Sequence, residues 1–415
     1  MKASLIRESG IVLGFLLVSV RGIASADSWP QFRGPEGQGH SAAIGLPLKW
    51  SQSESVAWKV AIPGVGFSSP VIDGEKIWLT AARDEGHTFH AVCLNKATGK
   101  LIQDVLVATN DKPGRVHPTN SPASPTPILE NDRIYLHFGA NGTACLTTSG
   151  KILWMVKLPH LQAYGPSSTP ILYQDLLIVP CHGTDVRYLV ALDKKTGKQR
   201  WKIDHQGRCS ESTPLVIHPP SGDEMIYNAA ERVVAIEPLK GTPLWTVEQG
   251  DNFAQIPRPV FEHGMVYICG GYYAPIVQAI RPGGRGDVTK THVQWSLRHS
   301  SVPLNPSPLI VGQEFYMVSD NGIASCLDAL TGKLHWRERI GGTYYASPLA
   351  ADGRIYFFDA AGTTTVIKPG LRFEVLAINK LDEKTMASPA IVDKAIYLRT
   401  SSRLYRLENT VVAKK

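Results

Sequence analysis

From residue 55 onward the chain consists of short runs of alternating hydrophobic and polar residues, separated by turn residues. The stretch from Ala346 shows this most completely, with the runs ASPLA, RIYFFD, TTTVIK and LRFEVLAI separated by ADG, AAG and PG. Alternation with a period of two, broken by glycine-containing turns, is typical of strands joined as hairpins. No helical periodicity of useful length competes with it. The pattern predicts a four-stranded antiparallel sheet for this stretch.

The same unit recurs along the chain. A small or polar residue followed by proline opens an apolar strand eight times, at Pro70, Pro127, Pro170, Pro214, Pro259, Pro308, Pro348 and Pro389. The successive intervals are 57, 43, 44, 45, 49, 40 and 41 residues, a period typical of repeat folds. Sheets that are apolar on both faces bury them by stacking around an axis. The sequence therefore predicts an all-β, eight-bladed β-propeller of four-stranded antiparallel blades, with seven blades as the alternative because the first interval is long.

The last repeat supplies only three strands, ending at Arg403 to Glu408, whereas an unpaired strand with Trp58 precedes the first proline. We expect this N-terminal strand to complete the last blade and close the ring. The tryptophans of the recurring TGKxxW-like segments, such as Trp201 and Trp336, are predicted to pack between blades. The predicted boundaries are 1–26 for a signal peptide, 27–54 for an N-terminal rim segment, 55–410 for the propeller and 411–415 for a tail.

The first 26 residues have the features of a secretory signal. Lys2 and Arg7 precede an apolar run from Gly10 to Val20, and small residues at 24–26 predict cleavage after Ala26. The next residue is not a cysteine, so no lipid anchor is expected. No later stretch is long and apolar enough to predict a membrane span. The predicted location is the periplasm or the extracellular medium.

Net charge and cysteine spacing limit the kinds of partner and ligand that the sequence predicts. The formal net charge is +7, and its Lys and Arg residues are scattered, which disfavours a nucleic-acid partner. The six cysteines lack a C-x-x-C spacing. Cys93, Cys145 and Cys326 share a repeat register with Ala191 and Ala235, so we expect small buried side chains rather than ligands.

The segment ALDKKTGKQRW, from Ala191 to Trp201, and the preceding SSTP, from Ser167 to Pro170, resemble the PQQ-type repeat of quinoprotein dehydrogenases. The same repeat occurs in the propeller lipoprotein of the outer-membrane β-barrel assembly machinery. The segment WPQFRGPEGQGHS, from Trp29 to Ser41, is similar to a secreted bacterial branch of PQQ-like propellers. The resemblance implies either a PQQ and Ca²⁺ site or a scaffold role.

Quinone-holding members of that family use an adjacent pair of cysteines, which this sequence lacks, and the assembly lipoprotein has a cysteine where this chain has Asp27. No position matches the family's catalytic Asp or its calcium ligands. We therefore expect no cofactor, with PQQ and Ca²⁺ as the alternative. The common hydrolase, phosphate-loop, zinc and EF-hand motifs are also missing from the sequence, so no catalytic residue and no metal ligand is predicted.

The best candidate site comes from propeller geometry. The segments that precede the innermost strands gather around one mouth of the central channel, and here they are rich in polar and aromatic residues, as a ligand site requires. The candidate ligand-binding residues are His117, Asn120, Tyr164, Arg208, Glu211, Gln255, Arg258, Asn305, Tyr344 and Tyr345.

Three functions are compatible with these observations. The favoured one is an exported, non-catalytic propeller that acts as a binding or scaffold protein in the cell envelope, with an envelope protein or peptide, or a glycan, as partner. A PQQ- and calcium-dependent quinoprotein oxidoreductase is the enzymatic alternative. A carbohydrate-binding or carbohydrate-processing propeller is the third.

Overall fold

The computed structural model describes residues 27–162 and 164–409. Their strands form eight sheets that are arranged as the blades of a propeller, numbered here in chain order from the sheet that follows Pro70. The predicted signal peptide (1–26) and tail (411–415) lie outside the described residues. Helix in the described part is limited to one 3₁₀ turn (Asp84–Gly86) and one short helix, α1 (Thr289–His292).

The strand that comes first in the chain is β1 (Val56–Ala61). Blades 1 and 2 contain β2 (Val71–Asp73), β3 (Lys76–Arg83), β4 (Thr88–Asn95), β5 (Leu101–Thr109), β6 (Ile128–Glu130), β7 (Arg133–His137), β8 (Thr143–Thr147) and β9 (Ile152–Val156). Blades 3 and 4 contain β10 (Ile171–Tyr173), β11 (Leu176–His182), β12 (Arg187–Asp193), β13 (Gln199–Asp204), β14 (Leu215–Ile217), β15 (Glu224–Ala229), β16 (Arg232–Glu237) and β17 (Thr242–Glu248).

Blades 5 and 6 contain β18 (Val260–Glu262), β19 (Met265–Gly270), β20 (Ile276–Ile280), β22 (Val293–Arg298), β23 (Leu309–Val311), β24 (Glu314–Val318), β25 (Ile323–Asp328) and β26 (Leu334–Arg339). The short strand β21 (Gly286–Asp287) lies between β20 and β22 but pairs in parallel with β17 of blade 4. Blades 7 and 8 contain β27 (Leu349–Ala351), β28 (Arg354–Phe358), β29 (Thr363–Ile367), β30 (Val375–Lys380), β31 (Ala390–Val392), β32 (Ala395–Arg399) and β33 (Arg403–Glu408).

The N-terminal strand closes the ring as predicted. β1 runs antiparallel to β33, with Lys59 opposite Tyr405, and it forms the outermost strand of blade 8. The first strand of every blade begins at the residue after one of the eight repeat prolines. The eight-bladed prediction is therefore confirmed.

The recurring TGK turn and tryptophan contact each other across neighbouring blades. The Trp295 Nε1 atom donates a hydrogen bond to the Ala329 carbonyl of the next blade at 2.9 Å, and its ring lies against Gly332 in the same turn. Trp154 donates in the same way to the Lys194 carbonyl at 3.1 Å. The prediction that these tryptophans pack between blades is confirmed. All six cysteines are buried free thiols, which confirms the prediction for the three that share a repeat register, Cys93, Cys145 and Cys326.

Residues 27–54 are called the N-terminal strap here. They cross the propeller on the side towards which the first strand of each blade runs from its proline. Trp29 and Arg33 of the strap are fully buried. Trp29 exchanges two backbone hydrogen bonds with Ile72 of blade 1, at 2.8 and 2.9 Å. The Arg33 guanidinium donates to the carbonyls of Gln38, within the strap, and Pro308, in blade 6. The strap thereby ties together blades that are distant in sequence.

Candidate functional site: the central channel and its mouth

Hydroxyl side chains line the channel where the first strands begin. In seven blades the residue before the proline is Ser or Thr: Ser69, Thr126, Thr169, Thr213, Ser307, Ser347 and Ser388. The backbone N–H of one such residue donates to the hydroxyl of the next, as from Thr126 to Thr169 at 3.1 Å and from Thr169 to Thr213 at 3.0 Å. Six of the seven hydroxyls, all except that of Ser69, accept a hydrogen bond from a backbone N–H of the preceding blade in this way.

This hydroxyl ring should contribute measurably to stability. Changing Thr169 to Val is expected to lower the free energy of unfolding by about 1–2 kcal/mol, because it leaves the buried N–H of Thr126 without an acceptor. The same change at the exposed Thr242 is the matched control and should stay within about 0.5 kcal/mol of the wild type. Urea unfolding measures both, and equal effects would contradict a structural role for the ring.

A second ring is formed two residues further back. The third residue before each proline lines the channel in all eight blades: Phe67, Ser124, Ser167, Glu211, Ile256, Asn305, Tyr345 and Met386. Blades 2 to 4 contribute polar groups, whereas blades 7, 8 and 1 contribute an aromatic, a thioether and another aromatic side chain. Thr119 and Asn120 add polar groups beside this ring. The enclosed volume is about 130 Å³, and its lining is polar on one side and largely apolar on the other.

The strap also contributes to the lining of the channel. Phe32 of the strap lines the channel with the two rings. The Arg258 guanidinium donates to the Phe32 carbonyl at 2.9 Å and to the Pro214 carbonyl at 3.2 Å. Arg258 occupies the position before the proline in blade 5, so its side chain replaces a hydroxyl of the first ring and fixes the strap instead.

Glu211 is the carboxylic acid of the channel lining. Burial raises the pKa of Glu211 to about 7, although a hydrogen bond from the Ser167 hydroxyl acts in the opposite direction. Among the described residues that line the channel, none is Lys or Arg. A carboxyl group that lacks a cationic partner in a partly desolvated channel favours a cationic ligand group when it ionises.

A histidine cluster, consisting of the buried His137 and His160 and the partly exposed His182, lies behind Glu211. The three imidazoles and Glu211 surround a cavity of about 10 Å³, and His182 Nε2 has no hydrogen-bond partner in the described part of the chain. Burial, aided by the nearby His160, lowers the pKa of His137 to about 3. Burial also lowers the pKa of His160 and holds that of His182 well below its usual value. The cluster is therefore neutral at pH 7.

Four of the ten predicted site residues line the channel, namely Asn120, Glu211, Asn305 and Tyr345. The Asn120 amide donates to the Tyr164 carbonyl at 2.9 Å, which joins two mouth loops. Asn305 donates to the carboxylate of Asp320, and its position is thereby fixed.

Three more of the predicted residues lie outside the channel but near its mouth. His117 and Tyr164 are exposed, with ring centroids 6.2 Å apart. The Arg208 Nε atom lies 3.0 Å from an Asp251 carboxylate oxygen, and its guanidinium lies over the Tyr273 ring.

The remaining three, Gln255, Arg258 and Tyr344, are buried and do not line the channel. Gln255 and Tyr344 are each the fourth residue before a proline, where an extended backbone directs the side chain into the blades. Gln255 donates to the Ala230 carbonyl at 3.2 Å, so its polar group is used within the fold.

Sequence reasoning identified only Tyr164 of an aromatic patch on the mouth loops, which consists of the exposed Tyr164, Tyr272 and Tyr273 and the half-buried Phe253. The Phe253 ring lies 6.3 Å from Tyr164, 6.4 Å from Tyr272 and 6.0 Å from Tyr273. Tyr272 and Tyr273 remain 62% and 58% exposed. The signal available in the sequence was the adjacent pair Tyr272 and Tyr273 directly after a buried strand. The fold itself does not require two tyrosines outside the core at this position.

Two further properties of the described residues bear on function. Residues 27–162 and 164–409 contain no group of three or more His, Cys, Asp or Glu side chains placed to hold a metal ion. Over the same residues, no helix has the length and apolar character needed to cross a membrane.

The ring of eight blades, the tryptophans that dock on TGK turns and the central channel define a PQQ-like propeller. The family model for outer membrane protein assembly factor BamB matches residues 149–272 and 276–408, and the chain belongs to this family. No curated protein matches the sequence significantly.

Solved structures with a similar fold include a BamB protein and alcohol dehydrogenases. BamB from Moraxella catarrhalis is 11% identical with a TM-score of 0.61, covering 85% of this chain and 99% of that one. Quinohemoprotein alcohol dehydrogenase from Comamonas testosteroni is 11% identical with a TM-score of 0.68, covering 95% of this chain and 82% of that one. At these identities the likeness establishes the fold alone.

Proposed function

We propose that this protein is a non-catalytic binding protein of the cell envelope that holds a segment of a partner protein at the channel mouth. The observation that carries the proposal is the channel with its polar and apolar lining, together with the exposed Tyr164, Tyr272 and Tyr273 on the mouth loops. The BamB family membership and the predicted signal peptide support an extracytoplasmic partner. Rigid aromatic groups around a small polar pocket are typical of protein-binding surfaces.

The lining of the channel suggests what the partner segment carries. Glu211 faces a channel whose described lining has no cation, and Tyr345, Met386 and Phe67 provide apolar contacts on the other side. A Lys or Arg side chain combines an aliphatic stem with a charged end. Such a side chain fits both halves of the channel, and its charge favours the ionised form of Glu211.

Affinity capture with matched variants tests the proposal. The wild type and a control carrying Leu330→Ala and Leu334→Ala, both exposed on blade 6, should retain the same envelope protein from an extract of the bacterial host. A variant carrying Tyr272→Ala and Tyr273→Ala should lose it, with affinity for the purified partner reduced at least about tenfold.

Two outcomes would contradict the proposal. One is that no specific partner is retained under any of several salt concentrations. The other is that the mouth variant binds the purified partner as tightly as the control. Glu211→Gln separates the two parts of the site, because it should weaken binding of a segment with a basic side chain and leave an uncharged analogue unaffected.

The quinoprotein alternative has less support from the residues of the channel. PQQ is a fused tricyclic quinone with several carboxylates, whereas the channel volume of about 130 Å³ is near the ~150 Å³ that holds one benzene ring. The described lining offers no Lys or Arg for those carboxylates and a single carboxyl group for Ca²⁺. The residues present do not fit this cofactor. Quinone absorbance after incubation with PQQ and Ca²⁺, together with dye-linked alcohol oxidation, would reverse this conclusion.

A carbohydrate ligand remains the third candidate because of the aromatic patch, since exposed tyrosines can stack on sugar rings. A glycan array with the Tyr272→Ala, Tyr273→Ala variant as the comparison decides between a sugar and a protein segment. Tyr344 is unsuitable for this test because it is buried.

A further inference from the structure

The N-terminal strap hydrogen-bonds to the first strands of most blades through one equivalent position. This position is the second residue after the repeat proline. Its N–H donates to the strap from Ile72, Leu129 and Ala350 at 2.8–2.9 Å, and from Phe261 to the Gln38 side chain at 2.6 Å. In blade 8 the Ile391 carbonyl accepts from the Ser41 hydroxyl of the strap. Blade 6 is bonded to the strap through the Pro308 carbonyl, which accepts from the Arg33 guanidinium. Among the described residues, no strap acceptor is observed for the N–H groups of Ile310 in blade 6 and Ile391 in blade 8, although the strap is bonded to these blades in the other ways described.

Blades 3 and 4 differ because, among the described residues, the strap makes no hydrogen bond to them. Their equivalent residues are Leu172 and Val216, both partly exposed. Leu172 pairs with Leu177 and Val216 with Met225, in the same hairpin register as Ile72 with Ile77. Because the register is the same, the N–H groups of Leu172 and Val216 also point away from their own sheets. In the described part of the chain, the strap backbone makes no hydrogen bond to these two strands.

A cavity lies where the strap leaves these strands. Its volume is about 780 Å³, within the ~300–1,000 Å³ typical of ligand sites. We call it the inner-strand groove. β10 and β14 form one wall, and strap residues including Gln31, Pro35 and Glu36 form the other. The lining also contains Glu262, Arg258 and His218. The Arg258 guanidinium is bonded to the Phe32 and Pro214 carbonyls, and Glu36 is the exposed acidic side chain on the strap wall.

We propose that the inner-strand groove binds an extended peptide segment of another protein, whose backbone carbonyls accept hydrogen bonds from the N–H groups of Leu172 and Val216. The strap provides the pattern for this interaction, because Trp29 pairs with Ile72 through backbone atoms alone. Strand addition of this kind obtains affinity from the main chain and selectivity from side-chain pockets. The exposed carboxylate of Glu36 favours a segment that places a basic residue beside it. This site is on the side opposite the mouth and does not depend on the function proposed above.

Hydrogen exchange of the free protein gives the first test. The amides of Leu172 and Val216 should exchange within about tenfold of the rate of an unfolded chain, whereas those of Ile72 and Leu129 should exchange slower by orders of magnitude. Amide-resolved NMR measures all four. Slow exchange of Leu172 and Val216 would mean that their N–H groups are already bonded, and it would overturn the proposal.

Selection from a phage library of random octapeptides against the intact protein gives the second test. We expect selected peptides with a basic residue that slow the exchange of Leu172 and Val216 at least about tenfold. Val216→Pro removes one donor without removing a sheet hydrogen bond, because Pro is tolerated where an edge N–H faces outward. This variant should fold like the wild type and bind the selected peptides at least about tenfold more weakly.

Two comparisons make the result decisive. Leu129→Pro removes an N–H that the strap uses, so it should lower the unfolding midpoint, unlike Val216→Pro. The Tyr272→Ala, Tyr273→Ala variant should bind the selected peptides normally, which separates this groove from the mouth. The proposal is overturned if the library gives no peptide that protects Leu172 and Val216, if Val216→Pro binds equally well, or if Val216→Pro lowers the midpoint as much as Leu129→Pro.

Discussion

The free energy of unfolding is expected to fall steeply as the pH drops below 6.5, because the histidine cluster must be charged in the unfolded chain but stays neutral in the fold. The pKa of His137 is lowered from 6.5 to about 3 by burial and by His160. Burial and the charge of Arg187 lower the pKa of the neighbouring His205 to about 4. For each of these groups the unfolded state binds more protons than the folded state between those values, so acid favours unfolding.

The size of the effect follows from the number of groups. A pKa difference of one corresponds to about 1.4 kcal/mol, so His137 alone contributes several kcal/mol across pH 6.5 to 3. Glu211 acts in the opposite direction. Its pKa is raised from 4.5 to about 7 by burial, so its contribution to stability is present below pH 4.5 and is lost as the pH rises through 7. Between pH 6.5 and 4.5 it offsets one of the histidines.

Urea unfolding at several pH values separates these contributions. His137→Gln should flatten the decline between pH 6.5 and 4.5, and Glu211→Gln should steepen it. His87→Gln is the control, since its side chain is exposed and its hydrogen-bond partner is the Asn110 carbonyl, and it should leave the slope unchanged. The interpretation fails if the wild type is equally stable at pH 6.5 and 4.5, or if His137→Gln retains the wild-type slope.

The propeller could be predicted because its determinants are local and repeated. Alternation, turn glycines and the eight prolines each specify a strand or a turn within a few residues. The closing strand was predictable by counting, since the last repeat has three strands and Trp58 stands alone before the first. The strap could not be derived in the same way. Its path depends on buried contacts such as those of Arg33 with Pro308, which join residues far apart in sequence.

Some of the predicted site residues line the channel and others, taken from the same loops one position earlier, do not. Glu211, Asn305 and Tyr345 are third residues before a proline and face the channel, whereas Gln255 and Tyr344 are fourth residues and face the blades. A shift of one residue in an extended segment reverses the direction of the side chain. Alignment of the eight segments on their prolines contains this information. The histidine cluster was not accessible in that way, because His137, His160 and His182 come from separate elements.

Replacing Gly332 with Ala is expected to destabilise the protein by about 3–5 kcal/mol, far more than the same change at Gly353. Both glycines have a positive φ, +71° and +67°, so both substitutions incur the conformational cost of about 1–2 kcal/mol. A Cβ atom at Gly353 meets nothing within 4 Å, whereas one at Gly332 would lie 2.7 Å from two ring atoms of Trp295. The Trp295 ring must therefore move.

Movement of Trp295 has a further cost, because its Nε1 atom donates to the Ala329 carbonyl of the same turn and its ring packs against Tyr267 and Phe315. Loss of such packing accounts for most of the difference between the two glycine variants. A double-mutant cycle measures the steric part directly: in a Trp295→Ala background, Gly332→Ala should cost only about as much as Gly353→Ala. An undiminished cost in that background would mean that the turn itself, rather than its contact with the neighbouring blade, requires the glycine. The expected result would mean that TGK and Trp recur in the sequence because the turn of one blade contacts the tryptophan of the preceding blade. Each blade then depends on the preceding one for its stability.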